Sequence, residues 1–250
     1  MKIIISPAKK MVVDTDSLKA EGTPCFLDEA KRLLARIREL DFAQAKALWK
    51  CSDKLAKLNY ERFAAMDLER GATPAVLSYE GLQYQHLSPR VMTAESLRYL
   101  EEHVWILSGF YGALKPFDGV TPYRLEMGAG LEVDGSRNLY VFWGDKIYRA
   151  VMAGGDTAVN LASKEYSQAV EAYIKPGDRL ITVEFAEIIQ CADGPKTRQK
   201  GTLAKMARGE MVRFMAENGI TDPEGMKAFS QLGFRYEEGL SDEGKMVFVR

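Results

Sequence analysis

The run Leu107-Ser108-Gly109-Phe110-Tyr111-Gly112 has the residue types that hold a phosphate on backbone amides. Two glycines three apart allow a tight turn. If a helix starts just after it, the free N–H groups and the positive end of the helix dipole point at an anion. Helix-hairpin-helix modules work this way, and Lys115 stands where a cation could join the same phosphate. Binding of that kind ignores base identity and weakens with salt. The same run also fits a buried aromatic turn with packing glycines.

Other cations recur at helical spacing. The stretch Leu203 to Glu217 reads as a helix on which Lys205 and Arg208 share a face. Arg213 lies about a third of a turn round from Lys205, and Leu203, Met206 and Phe214 are left to pack. Gly209 in mid-helix costs about 1 kcal/mol relative to alanine, which a close backbone approach would explain. Lys54, Asn59 and Arg62 fall on an earlier helix. Arg124, after Pro122-Tyr123, could take a phosphate bidentately or pair internally with Glu126 or Asp118. Lys9, Arg124, Asp145, Ser163, Glu165 and Tyr166 are acid, base and nucleophile types. An enzyme acting on nucleic acid or nucleotides is therefore the alternative to plain binding, with Lys9, Asp145 and Glu165 as its catalytic groups.

Several chemistries lack their residues. His86 and His103 are the only histidines, and neither has a ligand partner at helical spacing. Cys25, Cys51 and Cys191 are odd in number and far apart, which suits neither a disulfide framework nor a zinc knuckle. There is no Walker A sequence and no Gly-x-Gly-x-x-Gly after a strand. The expectation is a protein with no metal and no cofactor. Lys and Arg number 34 against 35 Asp and Glu, so a DNA partner requires a local basic patch. No apolar run approaches a membrane span. The N-terminus, interrupted by Pro7 and Lys9, is too short for a signal peptide. A cytoplasmic protein without a membrane partner is expected.

The elements that must position these residues alternate between strand and helix. Residues 2–5 read as a buried strand stopped by Ser6-Pro7. Helical spacing runs from about 26 to 40 and from 42 to 66, the second broken at Cys51-Ser52-Asp53 with Ser52 or Asp53 as N-cap. Residues 74–84 look like a strand with a turn at Gly81, and 93–104 like a helix capped by Thr93. Asp134-Gly135 marks a turn, 139–152 suits a helix after Trp143-Gly144-Asp145, 157–162 a strand and 163–174 a helix behind it. The strongest strand pattern spans 179–189, with a hairpin or loop over 194–200, and Asn218-Gly219 should end the helix over 203–217. The tail reads as two strands joined by a polar turn. No repeat or linker divides the chain, so residues 1–250 are expected to form one mixed α/β domain: a mixed sheet, surrounding helices and a helix-hairpin-helix-like element.

Seven blocks together carry a resemblance that none carries alone. They are Ile5-Ser6-Pro7-Ala8-Lys9, Ser52-Asp53-Lys54-Leu55-Ala56, the run 107–112, Pro122 to Gly128, Phe142-Trp143-Gly144-Asp145, Asn160 to Tyr166 and Ala207-Arg208-Gly209. In order and position they resemble the YaaA peroxide-stress family over essentially the whole chain. The resemblance implies a cytoplasmic bacterial protein that aids survival of hydrogen peroxide, associated with lowering free iron and limiting DNA damage. It also implies sequence-independent binding of double-stranded DNA, with a helix-hairpin-helix-like element beside a basic cleft. Carried onto this sequence, the hairpin falls on Gly109, Tyr111 and Gly112. The cleft would draw on Lys9, Lys54, Lys115, Arg124, Lys205, Arg208 and Arg213. One departure is visible, since a Lys-Lys-Ala-Arg-Gly-like run is expected where Lys205-Met206-Ala207-Arg208-Gly209 stands.

Overall fold

The computed structural model describes residues 1–70, 73–191 and 194–250. Its strands over the first half are Lys2–Ile5 (β1), Lys10–Met11 (β2), Thr73–Pro74 (β3), Tyr79–Glu80 (β4), Val104–Ser108 (β5), Gly112–Leu114 (β6) and Gly119–Val120 (β7). Thr157–Leu161 (β8), Arg179–Cys191 (β9), Gly194–Arg198 (β10), Arg235–Tyr236 (β11) and Lys245–Val249 (β12) follow. The helices before β5 are Leu27–Arg38 (α1), Phe42–Trp49 (α2), Asp53–Ala65 (α3), Ala75–Ser78 (α4), Leu82–Leu87 (α5) and Ala94–His103 (α6). After β7 come Leu139–Trp143 (α7), Lys146–Met152 (α8), Lys164–Glu171 (α9) and Gly201–Glu217 (α10).

The main sheet runs β11-β12-β9-β8-β1-β5-β6, with β10 paired to the far part of β9. β12, β9, β8, β1 and β5 are mutually parallel, whereas β6, β10 and β11 join as antiparallel hairpins or edges. β1 lies inside the sheet with all three isoleucines fully buried, the unbroken apolar run that a parallel strand covered on both faces requires. Ile5 stands opposite Ile106 on one side and Leu161 on the other. The connections leave this pair in opposite directions: β1 leads to β5 on one flank, and β8 leads to β9 on the other. Such a reversal opens a crevice outside the carboxyl ends of the two strands, where open α/β sheets place ligands. No helix among the described residues is long and apolar enough to cross a membrane.

Most elements fall where local chemistry puts them. Thr93 Oγ1 accepts from Ser96 N and caps α6, Asn218 follows α10, and Gly219 takes φ +59°. The break between α2 and α3 comes at Cys51-Ser52, though Ser52 makes no side-chain capping bond. One expectation changes. Residues 74–84 form no single strand. The amides of Ala75 and Val76 donate to Asp118 O and Pro116 O, so 75–78 coils into one buried helical turn between two-residue strands. The helix expected after Trp143-Gly144-Asp145 starts at Lys146, and Gly144 at φ +50° ends the short α7 before it.

Lys115 and Asp118 belong to this scaffold. Asp118 Oδ2 accepts from Lys115 N, while Lys115 Nζ donates to Glu101 O and lies over the Trp105 ring. Burial pushes the Asp118 carboxyl up to about 6, against a smaller lowering by the Lys115 amide. A carboxyl with a raised folded-state value binds its proton more tightly in the folded chain. It therefore favours folding at low pH, and that contribution is lost as pH rises from about 4 to about 6. Asp118→Asn removes this dependence. Its stability relative to the parent, from urea titrations, should climb over that pH interval by on the order of 2–3 kcal/mol. A constant difference between pH 4 and 7 would refute the assignment.

Candidate functional site

The crevice beside β1 and β8 is built by short polar segments that follow buried strands. Ser6, just past β1, accepts from Tyr84 of α5 through its carbonyl, at 2.9 Å. Its hydroxyl accepts from Ser163 N at 2.8 Å and donates to Ser163 Oγ at 3.2 Å. These bonds tie the strand end to α5 and to the start of α9. α10 closes the remaining side because Gly209 lets its backbone lie against α5: a Cβ there would stand 2.2 Å from Gln83 O. The enclosed cleft has a volume of about 410 Å³. Pro7, Ala8, Leu82, Tyr84 and Tyr166 give it an apolar lining, and Lys9, Lys10, Lys205 and Arg208 supply positive charge against Glu80 and Glu165.

The four cations are not equivalent. Lys10 pairs with Glu80 at 2.8 Å and Lys9 with Glu126 at 2.9 Å. Lys205 and Arg208 are in no ion pair among the described residues. They stand three apart on α10, so both project from one face of that helix. Burial lowers the Arg208 guanidinium's proton affinity, partly offset by the Glu184 carboxylate. Its Nε is buried without a hydrogen-bond partner. So is Nε2 of Gln83, a cleft residue only 6% exposed. Buried donors left unpaired cost about 1–3 kcal/mol each, and sites that receive a ligand commonly carry that cost.

A second cavity of about 280 Å³ adjoins the first, lined by Leu48, Trp49, Lys50, Arg124, Glu126, Gly128 and Ala129. Glu165 borders both cavities, and its Oε1 accepts from Gly128 N at 3.0 Å. The Lys9–Glu126 pair joins a residue of one cavity to a residue of the other. Arg124 donates to Glu126 Oε1 at 3.2 Å, which decides between its two sequence-level partners: Glu126, not Asp118.

Of the residues proposed from sequence, Lys9, Ser163, Glu165, Tyr166, Lys205 and Arg208 come together in the main cleft, and Arg124 lies in the adjoining cavity. The others do not join them. Gly109, Phe110 and Tyr111 form the turn of a β-hairpin between β5 and β6, and Gly112 opens β6 opposite Ser108, so strands and not helices flank the turn. Phe110 and Tyr111 are buried to 1% exposure or less. The amides of both donate to Ser108 Oγ, which also shares a hydrogen bond with Tyr123 OH. The donors a phosphate would need are thus consumed inside the core. Gly109 is required because the backbone of 125–127 passes where a Cβ would stand, within 2.6 Å of Leu125 O. Lys115 is held against Trp105 and Glu101, Arg213 pairs with Glu217 at 2.7 Å, and Lys54 is an exposed residue in the first turn of α3. Asp145 precedes α8 and pairs with Arg149 at 2.8 Å, outside the lining of either cavity, so it does not complete a catalytic set with Lys9 and Glu165.

Sequence reasoning missed Lys10, Glu80, Gln83 and Tyr84 as cleft residues. The available signal was positional: Lys10 begins a two-residue strand, Glu80 ends one, and Gln83 and Tyr84 open the short helix just after it. Among the described residues, no three of His, Cys, Asp and Glu gather closely enough to hold a metal ion.

Comparison with known proteins bears on this arrangement as a whole. The family profile described as peroxide stress protein YaaA matches residues 1–240. A UPF0246 protein of Pediococcus pentosaceus is 50% identical over 250 residues, covering 100% of this chain and 98% of its own. UPF0246 proteins of Lachnoclostridium phytofermentans and Desulfitobacterium hafniense are 48% and 49% identical, each over 100% of this chain and 96% and 98% of their own. A match over nearly the full length, with relatives this similar end to end, means that the chain belongs to the YaaA peroxide stress protein family.

Proposed function

We propose that this peroxide-stress family member binds DNA at the cleft between β1, β8, α5 and α10, through backbone phosphates and without reading sequence. The observation that carries the reading is the pair Lys205 and Arg208, two cations one helical turn apart that line the cleft without ion-pair partners among the described residues. Lys9 and Lys10 face the same space on the β1 side and can exchange Glu126 and Glu80 for a phosphate. The footprint is narrower than the sequence suggests. Lys54, Lys115 and Arg213 stand elsewhere, and no exposed hairpin amides add to it.

Three or four neutralised phosphates give a slope of roughly −2.7 to −3.6 for log affinity against log salt. A fluorescein-labelled 20-base-pair duplex should then bind about 40- to 150-fold more weakly at 200 mM than at 50 mM NaCl. An affinity that does not change over that range removes the proposal.

A further inference from the structure

We infer that the cleft seats one whole nucleotide, a strand end or an unpaired residue of DNA, with its base inside and only its phosphate at the basic rim. The inference rests on the DNA-binding reading above and specifies what part of the polymer enters. Three features of the cleft carry it.

The first is shape. A cavity of about 410 Å³ is the size of a small-molecule pocket, and duplex phosphates resting on its basic rim would leave its interior unfilled. A surface that tracks duplex backbone needs cations spread along a groove, and two of the sequence-proposed cations outside this cleft, Lys115 and Arg213, are engaged elsewhere.

The second is the lining. Pro7, Ala8, Leu82 and the two tyrosines offer a flat ligand far more apolar surface than a phosphate alone could use. A base presents two π-faces to such a lining, whatever its identity.

The third is the hydrogen-bonding inventory. Gln83 Nε2 on α5 and Arg208 Nε on α10 are buried donors without acceptors, on residues that line the same cleft. Base edges carry the missing acceptors, and extruded bases are read at their Watson–Crick edge. The Glu165 carboxylate keeps Oε2 beyond its bond to Gly128 N, so it can accept from an exocyclic amine. Thymine has no exocyclic amine, which makes it the disfavoured base. Lys205, exposed at the rim, is left to meet the phosphate.

The test uses the full chain and four probes in competition with the labelled duplex: dCMP, dTMP, inorganic phosphate, and the same duplex carrying one unpaired cytosine. The unpaired cytosine should bind about tenfold more tightly than the flush duplex. dCMP should displace the label at about tenfold lower concentration than either phosphate or dTMP. Wild-type protein should also melt at higher temperature with dCMP than with equimolar phosphate, a readout independent of any variant. Gln83→Leu should erase the dCMP-over-phosphate margin. If that variant does not fold, the wild-type probe ratios decide alone. Equal affinity for both duplexes, with dCMP no better than phosphate, overturns the nucleotide pocket and leaves backbone binding standing. Binding of dCMP with no affinity for either duplex does the reverse. Absence of binding by every probe removes both.

Discussion

Replacing Gly209 with alanine should destabilise the protein by about 2–4 kcal/mol, although alanine is the better helix former by about 1 kcal/mol. The added Cβ would stand 2.2 Å from Gln83 O, 3.0 Å from Gln83 C and 2.9 Å from His86 Cβ. Two of those three atoms are backbone, so no rotamer change relieves the contact. α10 must move away from α5 by about 1 Å, and interiors packed as densely as crystals resist that. The displacement also stretches the 2.7 Å bond between His86 Nδ1 and Glu210 Oε1, which joins the same two helices. For a chain of this length, a net loss of that size lowers the melting temperature by roughly 4–16 °C. Gly201→Ala is the matched control. It lies at the start of the same helix with nothing within 4 Å of a new Cβ, and should be neutral or slightly stabilising. Calorimetric melting of both variants decides the matter. Equal melting temperatures would mean that α5 and α10 are not in this contact. Because Gln83 and Tyr84 on α5 face Lys205 and Arg208 across the cleft, Gly209→Ala should also weaken ligand binding in whatever fraction stays folded.

The contrast between Gly209 and Gly109 shows how much of this protein its sequence discloses. A glycine in mid-helix is a local anomaly, and its cost pointed to close backbone approach with no knowledge of the partner. The partner, Gln83, could not be read, because it comes from a six-residue helix 126 positions earlier in the chain, brought there by the path of the sheet. Gly109 and Gly112 disclosed only that a tight turn exists. A glycine turn serves a β-hairpin as readily as a helix pair, and the choice is made by long-range pairing. Val104 and Trp105 register against β1, and Ile106 sits opposite Leu114, so both flanks are strands. Ser108 then turns its hydroxyl onto the very amides that a phosphate would have used. Strands, caps and the buried isoleucines of β1 were legible for the opposite reason, since each follows from a few adjacent residues. The cleft was half legible: Lys205 and Arg208 announce themselves by spacing on one helix, while the loops that face them are assembled only by the reversal of strand order at β1.

Lys205→Glu combined with Arg208→Gln should lower affinity for DNA by about 100-fold at 100 mM salt and flatten the salt slope by about two. Lys205 is exposed, so charge reversal there perturbs only the electrostatics. Arg208 is largely enclosed and near Glu184, where a glutamate would repel its neighbour and cloud the result. Glutamine removes the charge and keeps a donor. Arg208→Lys should recover only part of the loss, because an ammonium is a point charge without the guanidinium's fork of donors. The decisive comparison is with Lys54→Glu and Arg213→Glu. Each changes the net charge by the same amount as Lys205→Glu, but neither residue lines the cleft, and Arg213 is already paired with Glu217. A general attraction between DNA and a basic surface would weaken equally in all three single variants. Binding at the cleft predicts a loss of about tenfold for Lys205→Glu and less than about twofold for the other two, measured by fluorescence anisotropy on the same duplex. If Arg213→Glu costs as much as Lys205→Glu, the site is not this cleft.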